Sequence, residues 1–423
     1  VNWLKAVIVE RRLRWESSHL HELKSLAEAA GYTIAGRLEQ VKTRDSGFQI
    51  GRGKVEELAT LVKGTGAEKV IFENELTPFQ AYNLAKPTGV EVISKFQLIL
   101  EVFTNHASTQ EAKLQIELAR LHYELTRARE KVRLARRGEQ PGFRGLGKYE
   151  VQVYHDTIKR RVVNIKSKLK ELKEEKRVQR SKRVALGIPT VSLSGYTAAG
   201  KSTLFNALTG EDARVTGSLF TTLSTKLSAV NFDGKKALLA DTVGFIDGLP
   251  LKLIEAFRAT LEETIFSSTI ILVVDCSEVL SEVKRKVKCC LDTLRSIGVT
   301  ATPIVTAMNK IDLMTPLKVE TIIGELKDYA PNPVPVSALK GVNLEQLREV
   351  VSAQLKDFVK ASFELPISSR SLSVLSKIRR YSTVLDQSYG EKAIQLKVES
   401  LNCIMDKIKA LVEKVGGRIL KAT

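Results

Sequence analysis

The sequence predicts an α/β protein in four parts. These are a small N-terminal α/β domain over residues 1–105, a helical coiled-coil hairpin over 106–183, a central doubly wound domain over 184–358 and a small α/β extension over 359–423. Three observations predict it. Short apolar runs alternate with amphipathic stretches, the pattern of strands feeding helices. Two long segments carry apolar residues at coiled-coil spacing on either side of a Gly/Pro stretch. A glycine-bounded loop at residues 195–202 stands between an apolar run and a helix-forming run, which makes the central part a P-loop domain.

In chain order, residues 4–9, 33–38 and 69–73 read as short strands, and 18–30, 55–63 and 78–84 as the helices that alternate with them. That alternation implies a parallel sheet. Further on, Leu114, Leu118, Leu121 and Leu125 fall at i, i+4, i+7 and i+11. Tyr154, Ile158, Val162, Ile165, Leu169 and Leu172 repeat by fours and threes. Two such stripes can pack antiparallel across a turn near residues 138–147. Their backs and the turn carry Arg133, Arg136, Arg137, Arg144, Lys148, Lys159, Arg160 and Arg161. From Lys131 to Arg183, eighteen Lys/Arg stand against six Asp/Glu, so most of the chain's net +18 is concentrated there. Such a field suits phosphate backbones. The hairpin reads either as a rigid strut or as a basic probe for RNA, and the two are compatible. Phe143, Tyr149 and His155 add rings that can stack on bases.

In the central part, residues 184–193 lead in as an apolar strand and 202–208 lead out as a helix. Gly195 and Gly200 permit a tight turn. The N–H groups of Tyr196, Thr197, Ala198, Ala199 and the residues up to Thr203 can then converge on phosphate oxygens at a helix N-terminus. Lys201 is placed to reach the β/γ-phosphates, and the Ser202 hydroxyl to ligate Mg²⁺. Residues 237–241 form a strand ending in Asp241, followed by Thr242, Val243 and Gly244. This is a carboxylate for the Mg²⁺ side and a glycine whose N–H can approach the γ-phosphate. Residues 303–307 run into Asn309, Lys310 and Asp312. A carboxylate there can accept both donors of guanine while Asn309 meets O6, and adenine lacks that donor pair. Ser337, Ala338 and Leu339 end a further strand and offer backbone support to the base. Phe220, Thr221 and Thr222 lie where a mobile threonine would join the metal, with Thr222 the preferred ligand. The substrate and product are therefore expected to be GTP and GDP, with Mg²⁺. Lys201, Thr222 and Gly244 are the groups expected around the reacting phosphate. Phe245 stands where some GTPases carry a water-orienting Gln. Its ring cannot polarise water, which predicts slow intrinsic hydrolysis stimulated by a partner; equally, the ring can simply pack.

In the tail, residues 363–367 read as strand, 372–385 as helix, 392–398 as strand and 401–415 as helix, with Gly416 and Gly417 closing the last. That is a βαβα module or part of one. A chain of 423 residues has room for two to four domains. Without a long apolar span or a signal-peptide pattern it is expected to be cytoplasmic and monomeric, with no stable membrane insertion. Cys276, Cys289, Cys290 and Cys403 lack metal-ligand spacing and read as thiols in a reducing compartment.

Asp241-Thr242-Val243-Gly244-Phe245-Ile246 is followed by Leu249-Pro250 and by Ala256-Phe257-Arg258-Ala259-Thr260-Leu261-Glu262-Glu263. In these motifs the chain resembles the HflX family of GTPases, as an archaeal-like member. Residues 50–58, 74–80 and 112–119 are similar to that family's N-terminal region, so the resemblance spans roughly residues 1–360. The chain departs from the pattern at Ala198, where Asn is usual, at Asp247-Gly248, at Ser94-Lys95 and in an abbreviated linker at Gly142, Gly145 and Gly147. The resemblance implies a GTP-hydrolysing switch. It also implies association with the large ribosomal subunit and its RNA, in ribosome splitting, rescue or stress response. An alternative is an RNA chaperone or remodelling NTPase acting on free RNA through the hairpin, with a second, ATP-accepting site at Gly51-Arg52-Gly53-Lys54. That stretch reads more simply as a helix start. A membrane-surface or protein-partner switch ranks last, because the hairpin's apolar stripe is occupied by its own partner helix.

Overall fold

Three sheets carry the fold, each specified by a different residue pattern. A computed structural model describes residues 3–136, 148–211, 226–242, 244–245, 258–327, 329–355, 358–390 and 393–422. The described residues up to Glu171 form one compact unit and those from Leu172 onward a second.

The first sheet holds β1 (Leu4–Arg12), β2 (Tyr32–Val41), β3 (Lys69–Phe72) and β4 (Glu91–Ser94), all parallel, in the order β2-β1-β3-β4. Helices α1 (Leu20–Ala29), α2 (Arg52–Thr65), α3 (Pro78–Thr88) and α4 (Lys95–His106) follow the strands in turn. Ala6, Val7, Ile8 and Val9 are all buried, the continuous apolar run expected of a parallel strand covered on both faces. Helix ends are marked locally. Thr77 and Gln80 form a reciprocal capping box before Pro78, and Gly89 closes α3 in the left-handed region. β4 and α4 were not anticipated. Four residues are too few to show a period, and α4 buries Phe96, Leu98, Ile99, Leu100, Val102 and Phe103 around most of its girth.

The hairpin helices are α5 (Gln110–Arg136) and α6 (Lys148–Ala185). Leu118, Leu121, Ile158, Val162 and Ile165 bury one another, with Leu114, Leu125 and Leu169 packed alongside, which is the predicted antiparallel seam. Arg161 crosses it to pair with Glu117 at 2.6 Å, while Lys159 and Arg160 face solvent. Arg137, Phe143, Arg144 and the three linker glycines lie outside the described residues, as do the side chains of Arg133, Arg136, Lys148, Tyr149 and Tyr154.

The central sheet contains β5 (Thr190–Gly195), β6 (Lys226–Phe232), β7 (Lys235–Asp241), β8 (Thr269–Asp275), β9 (Ile304–Asn309) and β10 (Pro333–Pro335), in the order β10-β9-β8-β5-β7-β6. Only β6 runs antiparallel to its neighbour. The described helices are α7 (Lys201–Thr209), α8 (Arg258–Ile265), α9 (Leu280–Ser296), α10 (Pro316–Leu326) and α11 (Leu344–Gln354). The strand expected over 184–193 begins only at Thr190, because α6 continues to Ala185. Gly187 at φ +69° and Pro189 then break the chain before β5.

The C-terminal sheet is antiparallel. It has β11 (Phe358–Pro366), β12 (Thr383–Tyr389), β13 (Ala393–Leu401) and β14 (Arg418–Ala422) in the order β12-β13-β11-β14, backed by α12 (Ser369–Tyr381) and α13 (Asn402–Glu413). This βαββαβ arrangement corrects the expected βαβα module. The helix expected over 372–385 stops at Tyr381, since Ser382 is extended and Thr383 and Val384 pair as an edge strand. Among the described residues, no helix is long and apolar enough to cross a membrane.

Candidate nucleotide-binding site

β5 lies between β7 on one side and β8 on the other, so the loop after it leaves the sheet at a topological switch point, where such sheets bind ligands. Glycine is obligatory at both ends of that loop. Gly195 has φ +149° and a Cβ there would sit 2.3 Å from the Val273 carbonyl oxygen. Gly200 has φ +93° and a Cβ would sit 2.3 Å from Asn309 Nδ2. Ala198 is also left-handed, at φ +60°, a conformation an Asn tolerates better than an Ala. Thr197 N–H donates to the Phe245 carbonyl at 2.8 Å, and among the described residues the amides of Ala198 and Gly200 have no intramolecular acceptor. The first-turn amides of α7 are open by construction.

Lys201 starts α7 and is buried. Its Nζ donates to the carbonyls of Tyr196 at 2.8 Å and Gly195 at 3.2 Å. Burial holds its pKa below the ordinary lysine value, opposed by the charge of Asp241. A desolvated ammonium facing open amides gains strongly from an arriving phosphate. Ser202 Oγ donates to Asp241 Oδ2 at 2.9 Å, and Asp241 is 3% exposed. A hydroxyl and a carboxylate oxygen side by side at a phosphate cradle are the hard donors Mg²⁺ takes, so the residues present fit that ion. Thr242 is tied to the β5 backbone through Oγ1 to the Leu193 carbonyl, 2.6 Å. Gly244 lies directly on the lysine: a Cβ would meet Lys201 Nζ at 2.8 Å and Thr197 Cγ2 at 2.9 Å. Phe245 N–H donates to the Gly195 carbonyl at 3.0 Å and its ring is buried, which favours the packing reading for this side chain.

On the base side, Asn309 is a tie rather than a free amide. Its Nδ2 donates to the Ala199 carbonyl at 2.9 Å and its Oδ1 accepts the Ala338 N–H at 3.0 Å. Asp312 is exposed and accepts from Ser337 Oγ at 2.5 Å. Lys310, at φ +67°, pairs with Asp275 at 2.5 Å. Leu339 is exposed beside these groups in sequence, and Tyr196, Ala199 and Thr203 complete the wall and first turn of the phosphate loop. Asn309 is thus joined to Ala338, and Asp312 to Ser337. Phe220, Thr221, Thr222 and Val243 lie outside the described residues. Sequence reading missed Asp275, although it ends an apolar strand just as Asp241 does. The thiols of Cys276 and Cys290 are buried, and burial pushes both up to about 12. Gly51 is no second cradle. Its N–H is taken by Gln40 Oε1 at 2.8 Å, and Lys54 pairs with Glu57 at 2.7 Å.

Three family models match the chain: "GTP-binding GTPase N-terminal" over residues 17–104, "GTP-binding GTPase Middle Region" over 106–183 and "50S ribosome-binding GTPase" over 190–310. A GTPase HflX of Methanocaldococcus jannaschii is 46% identical over 82% of this chain and 86% of its own. A GTPase HflX of Escherichia coli is 36% identical over 79% of each. A GTP-binding protein of Sulfolobus solfataricus, solved in complex with GDP, covers 83% of this chain and 98% of its own at 27% identity and a TM-score of 0.46.

Proposed function

The chain belongs to the HflX family of GTPases, and from that premise we propose a GTP-controlled switch that docks on the large ribosomal subunit, its basic hairpin against ribosomal RNA. As a GTPase it converts GTP to GDP and phosphate. We assign Lys201, the amides of Ala198 and Gly200 and the first-turn amides of α7 to the phosphates. Asp312 reads the two guanine donors, and Asn309, Ser337, Ala338 and Leu339 hold the base-side loop in place. Ser202, Asp241 and Thr222 would hold Mg²⁺, which when bound neutralises phosphate charge. Gly244 brings its N–H to the γ-phosphate. With Phe245 where an amide side chain could orient water, the groups that complete the reaction come from the ribosomal partner, so turnover alone is slow. The protein is read as a monomer of the cytoplasm, acting in ribosome splitting, rescue or stress response.

The observation that carries this reading is the buried Lys201 beside the Ser202–Asp241 pair, beneath a loop joined by Asn309 to the residue-337 region. Purified large subunits should co-sediment with the protein loaded with a non-hydrolysable GTP analogue and raise its hydrolysis rate. Neither effect appearing would remove the ribosomal part of the reading. Stimulation by free RNA instead would favour an RNA remodeller.

A further inference from the structure

Glu262 and Glu263 close the sequence signature that follows Gly244, yet neither touches the nucleotide site. They lie on α8, 5% and 6% exposed, and carboxylates so buried need cationic partners. Among the described residues, those partners come from the last turns of α6. Arg183 Nη2 donates to both oxygens of Glu263, at 3.0 and 3.2 Å. Arg180 approaches Glu262 at 3.6 Å and Glu263 at 3.7 Å, with its guanidinium 4.2 Å from the Phe266 ring centroid. Lys173 reaches Glu262 at 2.6 Å.

The far end of α8 is fastened to the strand that delivers the phosphate loop. Ser267 Oγ lies 3.1 Å from Ser192 Oγ, and Ser268 N–H donates to the Thr190 carbonyl at 2.8 Å. Phe245 is bonded through its backbone to that loop, and α8 begins at Arg258, residues 246–257 between them lying outside the described residues. The clamp is not saturated. Arg180 Nε and Nη2 and Arg183 Nε are buried without a hydrogen bond. Buried donors left unpaired are costly, so a rearrangement that satisfies them would be favoured.

We propose that Glu262 and Glu263 are positioning residues that pass the nucleotide state of the Asp241–Gly244 segment to α6. This rests on the switch reading above and names its transmission. The clamped turns belong to the same helix, α6 (Lys148–Ala185), that carries Lys159, Arg160 and Arg161.

The test is hydrogen–deuterium exchange of the backbone amides of residues 172–185, with GDP bound and with a non-hydrolysable GTP analogue bound. In the unmodified protein the two states should differ by about fivefold or more, the lower end of ordinary coupling. In Glu262→Gln/Glu263→Gln the difference should fall below about twofold, with affinity for both nucleotides within about twofold of the unmodified protein. Should that variant fail to fold, the exchanged pair Arg183→Glu/Glu263→Arg should recover the difference that Arg183→Glu alone loses. The proposal is overturned if the analogue binds and residues 172–185 exchange equally in both states. It is overturned likewise if the double Gln variant keeps the full difference, or if the exchanged pair recovers none of it. Calorimetry on the same samples separates a second failure: no binding of the analogue removes the nucleotide reading itself, and this proposal with it.

Discussion

Two sheets in this chain, one parallel and one parallel except for β6, each turn at a switch point, and their carboxyl edges differ in which polar groups remain open. After β5 and β7 stand open loop amides, a buried lysine and the Ser202–Asp241 pair. After β1 and β3 stand carboxylates engaged by neighbouring donors and by Lys95, although Glu73 Oε2 is buried without a hydrogen bond. Glu10 accepts from Ser18 Oγ at 2.6 Å and from the His19 amide at 2.7 Å. Lys95 pairs with Glu73 at 2.7 Å and with Glu22 at 3.8 Å. Asn74 bonds the Arg11 backbone in both directions, at 2.7 and 2.8 Å. The topology is shared. What makes one edge an anion site is unspent N–H donors and a cation; the other repels phosphate and is a structural knot. The Ser94-Lys95 departure from the family pattern falls within that knot, where Lys95 serves as the cation between two acids.

The largest expected effect separates the edges outright. Lys201→Ala should weaken GTP binding by roughly a hundredfold or more, since charge-assisted bonds to a buried phosphate are lost. It should show no ATP binding at all by calorimetry, and residual ATP binding would mean that the N-terminal edge holds a nucleotide after all. Next, Asp312→Asn should cut selectivity for GTP over ATP by at least about tenfold, because a guanine donor then faces an amide N–H. Unchanged selectivity in competition binding would move base recognition elsewhere.

A smaller effect probes the closed edge. Burial, outweighing Lys95, pushes the Glu73 carboxyl up to about 7 from its ordinary 4.5. The folded state then holds an extra proton between those two values, so stability falls as pH rises through that window. Glu73→Gln should flatten the melting temperature between pH 5 and 7 relative to the unmodified protein, and a parallel curve would show that Lys95 keeps Glu73 ionised throughout. Smallest, Ala198→Asn relieves a left-handed alanine and should stabilise by at most about 1 kcal/mol in thermal melts. A destabilised variant would mean the loop turn is not left-handed there.

The phosphate loop was legible because its geometry is local. Two glycines, a lysine and a serine within eight positions dictate the turn, the donors and the helix start. Asn309 and Asp312 were legible for the same reason, but which residues they would bond was not. The tie from Asn309 to Ala199 spans 110 positions and the Lys310–Asp275 pair 35, and no spacing rule foretells either. The clamp on Glu262 and Glu263 was visible only as a motif without a reason. β12 escaped because it is a half-exposed edge strand without strict alternation, and α4 because burial around most of its girth erases the helical period.

The open edge binds one nucleotide and the closed edge none. Titrating GTP into the Mg²⁺-loaded protein in a calorimeter should give one site per chain, lost in Lys201→Ala. No heat would contradict the open edge, and two sites would contradict the closed one.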